Sequence, residues 1–448
     1  MHSPVTNSRT KGPLNIFAVG PRFGSTKLAA GAPHIRAFCE CVGVCAIRSA
    51  LTLAVLSALL LTLIAARPAQ AQTETVLYNF CSQPNCSDGA GPQSNLTFDG
   101  AGNLYGTTIG GGLGYGTVFE LSPNGSGGWN ETVLHSFTGG ADGSNPTYSG
   151  VIFDGGGNLY GTAWAGGAYG YGVVFELSPV GTSWTETVLY SFANAPDGAY
   201  PSGDLIMDPA GKVYGTTQAG GNCGGDTVFE LSPSGGVWTE QVIYSECDVN
   251  AAGLTMDAAG NIFGDGQLTV FELSPNGNGG WNPTVIHTFT GPPKDGSNAQ
   301  GAPVFNKAGT LYGTTTAGGI RNSGTIYKLS PVTKGKKKGT WTERIVHNFF
   351  NWRSRYDGSD PQAGIVFDAA GNIYGTTLSG GLWVDGTVYE LVAPVGKGEY
   401  KEKILYRFDG LHGTYPDDSL ILDSAGNLYG TTSEGGWYSA GVVFEVTP

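Results

Sequence analysis

Residues 102–108 read GNLYGTT, and six altered copies follow: GNLYGTA from Gly157, GKVYGTT from Gly211, GNIFGDG from Gly260, GTLYGTT from Gly309, GNIYGTT from Gly371 and GNLYGTT from Gly426. The ring of the phrase recurs 55, 54, 49, 49, 62 and 55 residues apart, from Tyr105 to Tyr429. The second copy shows the whole unit, GVIFDGGGNLYGTAWAGGAYGYGVVFELSPVGTSWTETVLYSF, residues 150–192. Four β-type runs lie in it, VIFD, NLYGTA, VVFEL and TETVLYSF, separated by Gly-, Pro- and Ser-rich joints. The joint DGGGN reads as a tight hairpin, because Asp and Asn bond local backbone and Gly supplies positive φ. Four short antiparallel strands at a period near fifty predict one blade of a β-propeller.

Glycine supplies 74 of the 448 residues, and aromatic residues 11%. So much glycine would suit a disordered chain, but here it falls at regular turn positions between runs that have rings to bury. Charged residues are only 13% and no long helical pattern is present, so the class is all-β. TETVLYNF at residues 73–80 is a fourth strand without its first three, and GVVFEVTP at residues 441–448 is a third strand without its fourth. The fragments complete one another. A seven-bladed β-propeller of four-stranded antiparallel blades is expected over residues 73–448, closed by the N-terminal strand joining the last blade.

Residues 49–66, SALTLAVLSALLLTLIAA, follow Arg48 and lead to Ala69, Gln70 and Ala71, a small-polar-small cleavage pattern. Residues 1–72 therefore read as a signal peptide with a long N-terminal extension, translation being expected to start nearer Val44. An uncleaved anchor would need a longer apolar run. The expected location is secreted or periplasmic, with no stable membrane insertion after cleavage and no C-terminal anchor. Cleavage leaves 16 basic against 35 acidic residues and moves the formal charge from −13 to −19. Such a surface repels phosphate backbones, so nucleic acid is not an expected partner. Four cysteines remain, and in an exported chain they suggest loop disulfides, Cys81 with Cys86 and Cys223 with Cys247.

Most residues that look chemical are repeat positions. His135, His287 and His347 stand in the slot held by Tyr78, Tyr190, Tyr244 and Tyr406 in other copies, which asks for a flat ring with a polar tip. Glu120, Glu176, Glu230, Glu272, Glu390 and Glu445 recur in the third strand as pairing residues. Asp88, Asp142, Asp197, Asp295 and Asp357 each precede a Gly between blades, where turn formation explains them better than Ca²⁺, which prefers six to eight oxygens. The KGKKK run from Lys334 reads as a solvated loop insertion. No nucleophile elbow, HExxH, Walker loop or dinucleotide fingerprint occurs in a suitable setting, so no catalytic residue, metal or cofactor is assigned.

The unit, with its DG joint, resembles the GloVer tandem repeat of exported bacterial proteins over residues 73–448, and more loosely kelch repeats in its Gly-Gly pair and the Trp that opens the fourth strand. The GloVer resemblance implies export and no defined activity. Alternating strand directions put the joints between second and third strands on one face with the loops between blades. Long variable loops on a rigid frame are where binding resides. On that face blades six and seven contribute Trp352, Arg353, Arg355 and Tyr356, then Trp383 with Asp385, His412 with Tyr415, and Glu434 with Trp437 and Tyr438. Blade two adds Trp164, Tyr169 and Tyr171. Other copies carry Gly, Ala, Asn or Ser at many of these places, so the repeat does not demand the rings. The ligand-binding candidates are Trp352, Arg353, Arg355, Tyr356, Trp383, Trp437 and Tyr438, since Trp and Tyr beside Arg and carboxylates suit stacking on sugars. Packing of these rings against neighbouring loops is the competing reading. A monomeric binding module for an extracellular polysaccharide or protein is expected, with a polysaccharide-active lyase or hydrolase on the same face as the alternative.

Overall fold

The repeated phrase closes a hairpin and then enters the middle of a sheet. The computed structural model describes residues 73–448 except 246–252, 337 and 351–356, and except the side chain of Cys223. At the first copy Asp99 accepts hydrogen bonds from the backbone N of Ala101 (2.9 Å) and Asn103 (2.8 Å), the Asn103 amide (2.8 Å) and the Tyr105 hydroxyl (3.3 Å). Gly102 between them sits at φ +89°. Asp154, Asp368 and Asp423 are satisfied in the same way, with Tyr160, Tyr374 and Tyr429 reaching back. Asn, Gly and Tyr of the phrase are thus one hydrogen-bonded unit around the hairpin aspartate.

The second glycine of the phrase answers to packing. A Cβ at Gly106 would lie 2.7 Å from the Phe119 ring and 3.1 Å from Leu96, so only glycine lets the third-strand ring lie across the second strand. In blades five and six that ring is a tyrosine, Tyr327 and Tyr389. The Tyr327 hydroxyl donates 3.2 Å to the buried Asp265 of blade four. The aberrant copy GNIFGDG therefore has its explanation one blade further on.

Seven four-stranded antiparallel sheets form the blades. Alternate residues of each strand face opposite neighbours: Tyr105 and Val118 pack on Leu159, Phe175 and Leu177 of the next blade, while Leu104, Phe119 and Leu121 pack on Tyr429 and Val443 of the last. Every junction carries such a cluster. The Trp opening a fourth strand staples a junction, as Trp238 does against Tyr160, Trp281 against Tyr214 and Trp341 against Phe263. Thr73–Asn79 pairs antiparallel with Val442–Thr447 and completes the seventh blade. The ring is closed by the two ends of one domain, and the third strand Val442–Thr447 is left with no open edge at the seam. Among the described residues no helix is long and apolar enough to cross a membrane.

The two faces separate as the strand order requires. Ala90 bridges Gly110, Ser144 bridges Ala165 and Thr414 bridges Glu434, joining each inter-blade loop to the joint between second and third strands. On the other face Asn372 accepts from the Ala393 backbone (2.8 Å) and Asn427 from the Thr447 hydroxyl (3.1 Å), tying hairpins to the ends of third strands.

Candidate functional site

The loop face is built from short, self-capped loops. Asp88 accepts from the Tyr78 hydroxyl and the Ser82 backbone N, both at 2.8 Å, and Asp197 from Tyr190 (2.8 Å) and the Ala193 backbone (3.1 Å). The glycine that follows Asp88 has φ +101°, and a Cβ there would meet the Thr108 hydroxyl at 2.6 Å. Cys81 and Cys86 are joined by a disulfide within this loop. Cys247 and the side chain of Cys223 lie outside the described residues, as do Trp352, Arg353, Arg355 and Tyr356.

Among the described residues eighteen large apolar side chains stand exposed; thirteen lie on the loop face, and the five elsewhere are all valines. Among the described residues every exposed Trp, Tyr, Phe, Leu and Ile is therefore on one side of the propeller. Trp383 is 63% exposed, Trp437 78% and Tyr438 52%. The loop at 409–415 bridges their two joints: the Tyr415 backbone N donates to the Asp385 carbonyl (3.0 Å) and its carbonyl accepts from Ser433 N (3.2 Å). His412 Nδ1 sits 2.9 Å from Asp409. The Trp437 backbone N donates 2.9 Å to Asn79 of the closing strand, which anchors that joint. Blade two behaves differently. Trp164 stacks on Tyr200 at 4.5 Å and donates from Nε1 to Gln218, and Tyr171 also packs against Tyr200, so of its three rings only Tyr169 stands well exposed.

The central channel opens among these loops, with a cavity of about 220 Å³ lined by Asn95, Tyr148, Asp204, Gln300, Asp417 and Asp418 among others. Asp204 accepts from the Asn95 amide and from Gly150 N (2.7 Å), while Asn95 accepts from Ser419 N (2.6 Å). Three blades and the last are thereby laced across the channel. Burial raises the Asp204 carboxyl above its ordinary range, and burial followed by the charge of Asp417 raises Asp418 well above it. Burial likewise lifts Asp417 to about 7, and its Oδ1 has no hydrogen-bond partner. No basic side chain lines this cavity.

A second set of carboxyls was not anticipated from the sequence. Glu74, Glu131, Glu186, Glu240, Glu343 and Glu402 open the fourth strands, and each leaves Oε1 buried without a partner. Burial raises the first five to about 7 and Glu402 to about 9, where Asp357 adds repulsion. Four of the five also feel the loop aspartate of the preceding blade, as Glu186 feels Asp142. Burial opposes ionisation of Asp142 as well, but bonds from Thr138 hold it below the usual range. In the Asp142–Glu186 pair the charge thus resides on the aspartate and the proton on the glutamate. The signal was present as Glu two residues after the Trp in TrpThrGlu or TrpAsnGlu, but its partner comes from the preceding blade and no local pattern links them.

No curated protein matches the sequence. Solved structures do resemble the fold. Virginiamycin B lyase from Staphylococcus aureus superposes with a TM-score of 0.51 at 12% identity, over 84% of this chain and 99% of the lyase. A catalytically inactive form of that lyase with quinupristin gives 0.52 at 13%, over 84% and 99%. The extracellular domain assigned to a hybrid two-component system of B. thetaiotaomicron gives 0.52 at 11%, over 83% of this chain and 39% of that one. At such identities the likeness is one of fold, and fold hosts many functions. The sequence itself is more specific: the profile of the Gloeobacter/Verrucomicrobia repeat matches residues 62–266 and 248–448. With its repeats accounted for blade by blade, the chain belongs to the Gloeobacter/Verrucomicrobia repeat family.

Proposed function

We propose that this chain is an exported binding module that holds an extracellular glycan on its loop face. The observation that carries the reading is the confinement, among the described residues, of every exposed large ring to that face. Trp383, Trp437 and Tyr438 offer flat apolar surfaces, and Trp352, Arg353, Arg355 and Tyr356 belong by sequence to the loop that precedes blade six. Stacking rings supply affinity for sugar faces, and Arg or carboxylate neighbours take the hydroxyls. The test is retention of the protein on a panel of immobilised polysaccharides. Binding to at least one, weakened by Trp437→Ala, supports the reading; no retention on any glycan sinks it.

One observation favours a polysaccharide-active enzyme as the second reading. Asp417 and Asp418 adjoin one another at the channel, with Asp417 lifted to about 7 and so suited to give up a proton near neutrality. Release of new sugar ends from a retained polysaccharide, lost in Asp417→Asn, would select it over binding alone.

A further inference from the structure

We propose that His347, Asp357 and Glu402 bind a divalent transition-metal ion of the zinc or manganese class where blade five meets blade six. His347 comes from the fourth strand of blade five, Trp341–Asn348, and Glu402 from the fourth strand of blade six, Lys401–Arg407. Asp357 ends the loop between them. One ligand atom from each lies within 4.8 Å of the others, and His347 Nε2 stands 3.7 Å from Glu402 Oε1. Ligands about 2.1 Å from a tetrahedral ion lie about 3.4 Å apart, so the trio needs only small side-chain movement to close on a metal.

The three groups face one another, and Glu402 shares a side-chain hydrogen bond with Asp357 inside the trio. His347 Nε2, Asp357 Oδ1 and Glu402 Oε1 are all buried without a hydrogen-bond partner outside it, and Asp357 is only 6% exposed. A proton on Glu402 satisfies one pair of these atoms, whereas a cation between the three satisfies all of them at once and displaces that proton. The His347 ring is held edge-on to Phe349 at 4.8 Å, which fixes where Nε2 points.

The other histidine junctions show why this one is special. At His135 the aspartate is occupied by the Thr138 hydroxyl and backbone N, and at His287 by the hydroxyl and backbone N of Thr290. Phe350 takes the place of those threonines here. Among the described residues outside the trio only its backbone N bonds Asp357, 2.9 Å from Oδ2, and no threonine hydroxyl competes for Oδ1. Among the described residues this is the one trio that gathers closely enough. A neutral imidazole with two carboxylates brings two negative charges to a dication, and a nitrogen donor in a three-ligand set disfavours Ca²⁺. Among the described residues Arg407 is the cation that acts on Glu402, more weakly than Asp357 does. The ion would fasten the loop before blade six to the fourth strand of that blade.

The experiment titrates the untagged full chain, stripped with chelator, with Zn²⁺ and separately with Mn²⁺, followed by calorimetry and thermal melting. One equivalent should bind and raise the melting temperature. His347→Tyr installs the ring that four other copies carry at this slot, so it keeps the fold while removing the nitrogen ligand. It should weaken binding at least tenfold. Phe350→Thr should also weaken it by occupying Asp357, whereas His135→Tyr should leave it unchanged. Should His347→Tyr fail to fold, Glu402→Gln gives the same reading. Absence of stoichiometric binding, or binding that survives His347→Tyr or Glu402→Gln, overturns the proposal.

Discussion

The two ends of each blade treat their carboxylates in opposite ways. At the hairpin end Asp99 and Asp154 each collect four hydrogen bonds, which outweigh burial and hold both below the ordinary range. Where the fourth strand meets the loop aspartate of the preceding blade, Glu131 and Glu186 are buried with an oxygen unpartnered, and burial pushes both up to about 7. Among the described residues the hairpin end also exposes no large ring, while the loop end exposes all that are exposed. One end of the repeat is closed upon itself, and the other keeps polar and aromatic groups whose partners the blade does not supply. That division is what a scaffold with one working face needs.

The largest effect should come from the seam that both ends share. Removing Thr73–Asn79 strips blade seven of its fourth strand, lays bare the edge of Val442–Thr447 and frees the joint that Asn79 anchors at Trp437. The expected result is loss of the cooperative unfolding transition and aggregation, followed by calorimetry and light scattering. A shortened chain that melts as the full one does would show that neither face depends on closure.

The sequence disclosed one end far better than the other, for a physical reason. The hairpin is local: Asp99, Asn103 and Tyr105 lie within six residues, so every copy of the phrase carries its own evidence. Strand number, blade number and the closing strand follow from counting such copies. The loop-end carboxyls are non-local, because Glu186 meets Asp142 across a blade junction and Asp204 meets Asn95 across the channel. The same distance hides from the sequence that Asp265, where the other copies carry Thr, answers to Tyr327 of the next blade. Exposed rings were legible as departures from the repeat, yet Trp164 departs equally and rests on Tyr200. Departure marks a position released from the repeat, and only contacts tell what it was released to do.

The next effect in size is a pH dependence that belongs to the loop end. A carboxyl whose folded pKa stands near 7 is well above its unfolded value of roughly 4.3, so the folded state holds more protons in between. The stability these glutamates permit is therefore full below the unfolded value and is lost as pH rises through about 7. His135, His287 and His347 are lowered by burial and act in the opposite sense, but only below about 6.5. Between pH 6.5 and 8.5 the melting temperature should therefore fall. Glu131→Gln and Glu186→Gln together should flatten that fall, because the amide stays neutral. A melting temperature that is level or rising over this range would place the junction glutamates in their ionised form.

The smallest effect, and the sharpest contrast, pairs one residue from each end of neighbouring blades. Asp423→Ala removes the acceptor for Ala425 N, Asn427 N, the Asn427 amide and the Tyr429 hydroxyl. The hydroxyl belongs to a ring only 7% exposed, and loss of such a cap should cost about 1–2 kcal/mol by denaturant titration. Trp383→Ala removes a larger side chain, but one that is 63% exposed, so stability should move by no more than about 0.5 kcal/mol. The order reverses if binding is measured. Asp423→Ala should retain the wild-type affinity for a retained polysaccharide once folded, because the hairpin lies on the far face. Trp383→Ala should lose about 0.5–1.5 kcal/mol of binding beyond its area, the worth of an aromatic contact. Equal destabilisation by both substitutions would make Trp383 a packing residue and dissolve the distinction between the two ends.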